Sequence, residues 1–443
     1  MDIDALTRLA RIACDAAISA GAHAADVSAS RGKSLSVELK SNAVNSSDAK
    51  IGGGISVRAI YDGGTGWSST DKLTPEAAAE AGKNAAMLAK VAEPDPDFVS
   101  LTQPAESYPD IPGLVDPAIA ELDIKQIIKY SLANVDSALA VSPGAVVEGG
   151  FSTSFSSGVL VNSLGVSVGR DSSYIGGHAM VVVKRGDEVG SFYDFDSARV
   201  MDDFDPDGIG ARAAEQAVKF LGARKIETKR MPVILGPLAS GSVFDGIVGN
   251  ADAENIQRGR SFMMGKLGEK IAPDIVTLTD EPLIARGLGS RAYDQEGFPC
   301  KPMVIVEKGV LKTYLYSSYT AAKAKTAPTG HGTRGGGAST SNIVPKLGTL
   351  TGDQIIRDTK EGLYINMGGI DPNPTTGDVS SAVDFGFKIE NGELAYPVSS
   401  SMVGGKFLEM IANIDAISSD YREEPGMIMP TLRIRDVLVA GGR

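Results

Sequence analysis

The sequence predicts an α+β protein, with an N-terminal α+β region followed by a β-rich mixed C-terminal domain. Three observations carry that expectation. Helical periodicity is confined to a few segments. Short alternating runs dominate the remainder, which is the period of half-buried strands. Glycine is abundant, at 52 of 443 residues, which implies many turns and closely approaching strands. The length allows two or three domains at roughly 100–200 residues each.

Taken in order, residues 4–20 place Leu6, Leu9, Ala10, Ala13, Ala17 and Ile18 at helical spacing, with Gly21 as a stop. Alternating runs follow at 26–30, 34–40 and 54–61. The cluster Asp62-Gly63-Gly64-Thr65-Gly66 then turns the chain, and Trp67 begins a return strand. Thr74 and Pro75 open an Ala-rich helix to about Val91, as N-cap and first helical residue. Prolines crowd residues 93–118, an extended connector. A helix is expected at about 121–138, strands from Ala145 to Phe195, and a helix at about 208–221. Beyond Met231, short strands alternate with Gly-rich turns, with helices near 240–256, 316–325 and 352–360. Hairpin tips are read at Glu307–Leu311 and at Glu390-Asn391-Gly392-Glu393, and a last strand at Thr431–Ala440. The expected division is an N-terminal unit at 1–92, the connector at 93–118, a middle helix-and-strand region at 119–222, and the C-terminal domain at 231–443. No repeat is visible at solenoid periods.

Composition narrows the function classes. Asp+Glu number 55 against 43 Lys+Arg, a net charge of −12. Neither nucleic acid nor an anionic membrane is an expected partner, because both need a positive field. The chain has only three histidines (His23, His178, His331) and two cysteines (Cys14, Cys300). Zinc sites draw mostly on those two residue types, so few ways remain to build one. The cysteines lie far apart with no CxxC, which points to a reducing, cytoplasmic compartment. The start lacks a basic, apolar leader, and no apolar run is long enough to span a bilayer.

Gly165-Val166-Ser167-Val168-Gly169 matches a GxSxG nucleophile elbow, but it lies between strands rather than at a strand-to-helix turn, so a Gly-rich strand is the expectation. Asp203-Phe204-Asp205-Pro206-Asp207-Gly208 resembles the start of an EF-hand loop. Position twelve is Ala214 instead of Glu, so it reads as an acidic lead-in to the next helix. His23 and His178 have no second ligand at metal spacing and read as structural, as do the cysteines. The loop Thr329–Gly337 carries His331 and Arg334, which are candidates for contacting a carboxylate or a peptide backbone.

Several stretches in the C-terminal half stand in a specific order: Ser261-Phe262 with Gly265–Ile271; Tyr293-Asp294-Gln295-Glu296-Gly297; Glu307–Leu311; Thr329-Gly330 with Arg334; Thr376-Gly377-Asp378-Val379-Ser380; and Ile389–Glu393 with Pro397-Val398. Over about 200 residues they resemble the TldD/PmbA family, also called the modulator of DNA gyrase family, and its TldE (PmbA) branch in particular. That resemblance implies a cytosolic metallopeptidase of two similar subunits. The TldD-type subunit carries zinc on an HExxxH helix, helped by a Cys near the C-terminus. Here Asp245 and Asn250 stand where the two histidines would be, Gly246 stands for the Glu, and Gly426–Leu432 has no Cys.

Zinc hydrolysis needs about three protein ligands, an open position and a base. The expectation is therefore a non-catalytic TldE-type subunit with no cofactor of its own. Its partner is a TldD-type subunit supplying zinc, or a second copy of itself, and its substrate is unfolded peptide. Asp245, Asn250, His331 and Arg334 are the peptide-binding candidates. Two rivals stand beside it: an independent hydrolase with a hard metal held by Asp245 with Asp252 or Glu254, and a homodimeric peptide-binding scaffold without cleavage.

Overall fold

The computed structural model describes residues 2–442. Helix α1 (Ile3–Ser19) starts where the Asp2 carboxylate accepts the Ala5 N–H, and it turns Leu6, Ala10, Ala13 and Ala17 inward. Three antiparallel strands follow: β1 (Ala24–Lys40), β2 (Ala43–Tyr61) and β3 (Gly64–Thr70). Helix α2 (Pro75–Val91) begins at Thr74, whose hydroxyl accepts the Ala77 N–H. It packs on α1 at Gly82, where an added Cβ would meet the Ala13 carbonyl at 2.1 Å.

The runs at 26–30 and 34–40 are one strand, not two. Hydrophobic alternation lapses at Arg31-Gly32-Lys33 because that stretch lies between the two helix-covered ends of the sheet. Pairing still continues through it, from Gly32 to Gly52 on one side and Ser156 on the other.

The helix expected at 121–138 divides into α3 (Pro117–Glu121) and α4 (Ile124–Val141). Asp123 separates them, forming a reciprocal capping box with Gln126. Strands β4 (Val146–Asn162), β5 (Ser167–Arg185) and β6 (Glu188–Ala198) come next, then α5 (Gly208–Lys219). Strands β1 to β6 form one antiparallel sheet in the order β3-β2-β1-β4-β5-β6. The helix–three strands–helix unit therefore occurs twice, related by an approximate two-fold between β1 and β4. Odd-numbered residues of β1, β2, β4 and β5 supply the core under the helices, with α1/α2 at one end and α4/α5 at the other. The opposite face bears small polar side chains such as Ser30, Ser34, Ser36, Ser152 and Ser154.

Two motifs resolve as strand and turn. Gly165 sits in the β4–β5 turn at φ +107°, and Ser167–Gly169 open β5, so no elbow forms. Asp205 accepts the Gly208 N–H and pairs with Arg212, fastening the start of α5.

The C-terminal half is built on a twelve-stranded mixed sheet. Its centre is β7 (Lys229–Leu235) between the strands Met427–Ala440 and Glu361–Met367. Helix α6 (Pro237–Asn250) packs on it through Val243, Phe244 and Ile247. The helix expected at 240–256 breaks at Ala251-Asp252, and Asp252 caps a separate short helix, Ala253–Gln257. The connector is extended but packed: Asn162 donates to the Thr102 carbonyl, and the Tyr108 hydroxyl to that of Gly297.

Candidate functional site

Helix α6 is where the resemblance places a zinc site. Asp245 lies on its exposed side. Lost water contact raises its carboxyl above the usual range, and the nearby Asp371 raises it further. Asn250 is buried, and its side-chain amide donates back to the Gly246 carbonyl at 2.8 Å. The two positions are five residues apart, or roughly 140° around a helix, so they do not share a face. Met429 and Met427 pack against Gly241, and Phe407 against Gly246. A carboxylate turned outward and an amide already spent do not fit zinc, which takes Cys, His and carboxylate donors converging on one point. Among the described residues, no group of three or more His, Cys, Asp or Glu is gathered closely enough to hold a metal ion. Two residues of the hard-metal alternative already have partners. Asp252 is engaged as the cap of Ala253–Gln257, and Glu254 pairs with Arg258 at 2.6 Å.

His331 is not available to a peptide. It is 1% exposed, with Nδ1 at 2.9 Å from the Thr329 hydroxyl and Nε2 at 3.0 Å from Asp280. Its neighbour Arg334 crosses to the N-terminal sheet. Arg334 Nε donates to Asp26 Oδ1 at 2.5 Å, Nη1 to the Ser28 hydroxyl, and Nη2 to the carbonyls of Asp26 and Ser56. Arg58 donates to the other Asp26 oxygen at 2.6 Å and to the Arg334 carbonyl. Both guanidiniums lie against the ring of Trp67, at 5.0 and 5.7 Å. Burial lowers the Arg334 guanidinium below its ordinary value, more than Asp26 raises it.

This clamp forms one wall of a cavity of about 190 Å³. Trp67, Phe98 and Tyr319 line it with the acidic groups Asp95, Glu254 and Glu296. Glu296 accepts both the backbone N–H and the hydroxyl of Ser318 at 2.7 Å. Burial pushes its carboxyl up to about 7, the range in which a group exchanges protons near neutrality. Asp294 accepts the N–H groups of Glu296, Phe298 and Gly332, fixing the turn that carries Glu296. Aromatic walls with a few convergent polar groups are the make-up of a small ligand site.

Sequence reasoning found Arg334 but not its partners Asp26, Arg58 and Trp67. Asp294 and Glu296 were legible only as members of the stretch Tyr293–Gly297. A larger open groove of about 710 Å³ lies elsewhere, and in it Arg433 pairs with Asp415 and Lys388 with Glu361.

Among the described residues, no helix is long and apolar enough to cross a membrane. Three models of the PmbA/TldA metallopeptidase family match the chain in order: domain 1 over residues 25–89, the central domain over 117–221, and the C-terminal domain over 228–441. The metalloprotease PmbA of Escherichia coli O157:H7 is 26% identical over 94% of this chain and 92% of its own length. A metalloprotease of Methanothermobacter thermautotrophicus is 34% identical over 54% of this chain and 56% of its own. The crystal structure of a modulator of DNA gyrase from Bacteroides thetaiotaomicron superposes with a TM-score of 0.90 at 28% identity, covering 98% of each chain. TldE from Thermococcus kodakarensis shares the fold, with a TM-score of 0.88 at 24% identity over 99% of this chain and 100% of that one. In sequence and in fold, this chain belongs to the PmbA/TldD metallopeptidase family.

Proposed function

We propose that this chain is a non-catalytic, TldE-type subunit of a cytoplasmic peptidase that acts on unfolded peptides, with zinc supplied by a TldD-type partner. The observation that carries the reading is the arrangement on α6. Asp245 faces out, Asn250 spends its amide on the helix backbone, and methionines occupy the C-terminal strand beside them. The donors that would hold zinc and the carboxylate that would act as base are replaced together. The chain's own contribution is to hold peptide. The cavity beside Trp67 offers aromatic walls with both acidic and basic groups, Glu296 and Asp95 facing Arg58 and Arg334, which suit the backbone and side chains of a short stretch of peptide.

Two measurements test this. The purified chain alone should cleave no unfolded polypeptide, and mixing it with a TldD-type subunit should produce or raise cleavage. Full peptidase activity in the single chain, unaffected by a partner, would overturn the reading.

A further inference from the structure

The polar face of the N-terminal sheet meets the C-terminal domain across a cleft of about 460 Å³. Three strands supply one side of it. Ser30 on β1, Gly158 on β4 and Arg170 on β5 stand side by side in register. Residues directly opposed across a sheet share a face, so all three turn toward the cleft. Gly158 makes the middle of this row a notch, since a Cβ added there would meet nothing within 4 Å. The segment 291–295 of the C-terminal domain supplies the other side, with Arg291, Tyr293 and Gln295. Leu160 and the ring of Tyr293 add apolar surface.

The charges of this cleft do not balance. Arg170 is exposed, lies over the ring of Tyr293 at 5.7 Å, and forms no ion pair among the described residues. Arg291 forms none either. Its terminal nitrogens donate to the hydroxyl and the carbonyl of Ser339, and its Nε is buried with no hydrogen-bond partner. Arg334 also lines the cleft but is spent on Asp26. Asp294 is the one carboxylate among the lining residues, and three backbone N–H groups already hold its oxygens. Two guanidiniums therefore face one carboxylate, in a chain whose net charge is −12. The side chains of Ser30 and Gln295 are exposed and form no hydrogen bond among the described residues.

We propose that this cleft binds a carboxylate, held by Arg170 and Arg291 at the Gly158 notch, with Ser30 and Gln295 donating further hydrogen bonds. A guanidinium matches a planar carboxylate with paired N–H groups. One excess positive charge suits a monoanion rather than a phosphate dianion. Leu160 and the Tyr293 ring suit a carboxylate borne on an apolar body, either a small organic acid or the end of a peptide chain. No residue of α6 lines the cleft, and the proposal does not rest on the catalytic reading above.

Isothermal titration of the full chain tests it, with two probes and their neutral controls: hydrocinnamate against its amide, and the tripeptide Ala-Ala-Phe as free acid against its C-terminal amide. The acids should bind and the amides should not. Arg170→Gln should weaken binding about tenfold or more, the scale of a hydrogen bond to a charged group. Arg170→Lys should recover part of the loss, since charge survives and the fork does not. Gly158→Val should weaken binding to a similar degree by filling the notch, at a strand position with open space for a β-branched side chain. It changes no charge, so it keeps the test decisive if Arg170→Gln disturbs the fold. Far-UV ellipticity and melting temperature control for folding in both variants. Inorganic phosphate should compete poorly. A tripeptide acid that binds more tightly than hydrocinnamate assigns the carboxylate to a peptide, and the reverse order assigns it to a small acid; both support the site. Failure of both acids to bind, amides that bind as well as the acids, phosphate that binds more tightly than either acid, or an affinity indifferent to both variants would each overturn the proposal.

Discussion

Replacing Arg334 by alanine removes one of the two guanidiniums that answer Asp26, and with it the main fastening of the Gly-rich loop to the N-terminal sheet. The side chains of Arg334 and Asp26 are only 10% and 6% exposed, so solvent screens this pair little. Breaking a buried charge pair costs about 3–5 kcal/mol, because the remaining charge stays desolvated. Here Arg58 still answers Asp26. The expected loss therefore sits at the lower end, about 3 kcal/mol. Trp67 supplies the assay. It is the only tryptophan, it is 42% exposed, and its ring lies 5.0 Å from the Arg334 guanidinium carbon. Denaturant unfolding followed by Trp67 emission and by far-UV ellipticity should show a lower midpoint, with native emission altered. Arg334→Lys should recover only part of the loss, since an ammonium cannot reproduce the fork of donors. A loss under about 0.5 kcal/mol, with Trp67 emission unmoved, would refute the assignment of Arg334 as the fastening.

The other expectations concern packing and protonation. Gly82→Ala should lower stability by roughly 1–3 kcal/mol in thermal melts, because its Cβ meets backbone on α1 that cannot yield cheaply. Phe244→Ala, at 1% exposure in the C-terminal core, should cost about 3–5 kcal/mol. Asp245→Ala should change stability by no more than about 0.5 kcal/mol and leave any partner-dependent cleavage intact; loss of cleavage would give Asp245 a role denied it here. Glu424 predicts a pH dependence. Burial raises its carboxyl from 4.5 to about 7 despite the pull of Arg422. Between those values the folded chain holds a proton that the unfolded chain has released, so stability falls as pH rises through the window and levels off above it. Glu296 is raised in the same direction, so Glu424→Gln should remove only about half of the slope in melts from pH 4.5 to 7.5.

Most elements were legible because their signals are local. Thr74-Pro75 marks the start of α2 by N-cap chemistry, and Asp62-Gly63 marks a hairpin by the φ values it tolerates. Continuity across Arg31-Gly32-Lys33 was not legible, because alternation records apolar burial rather than backbone pairing, and this half-buried stretch between the two helix-covered ends carries no apolar side chain. The break between α6 and the short helix at 253 was missed for a related reason. Residues 240–256 are apolar enough to read as one helix, and only the Asp252 cap, formed in place, divides them.

The sequence by itself determined the α+β class, the family resemblance and the shortage of zinc ligands, since composition and short-range spacing carry all three. Tertiary structure alone decided what the candidate residues do. His331 and Arg334 stand three positions apart on one loop. Pairing across the chain seals His331 against Asp280 inside the C-terminal half and sends Arg334 out to Asp26, more than 300 residues away in sequence. The partner of a charged side chain is set by which distant surfaces the fold brings within a few ångströms, and no local pattern encodes that choice.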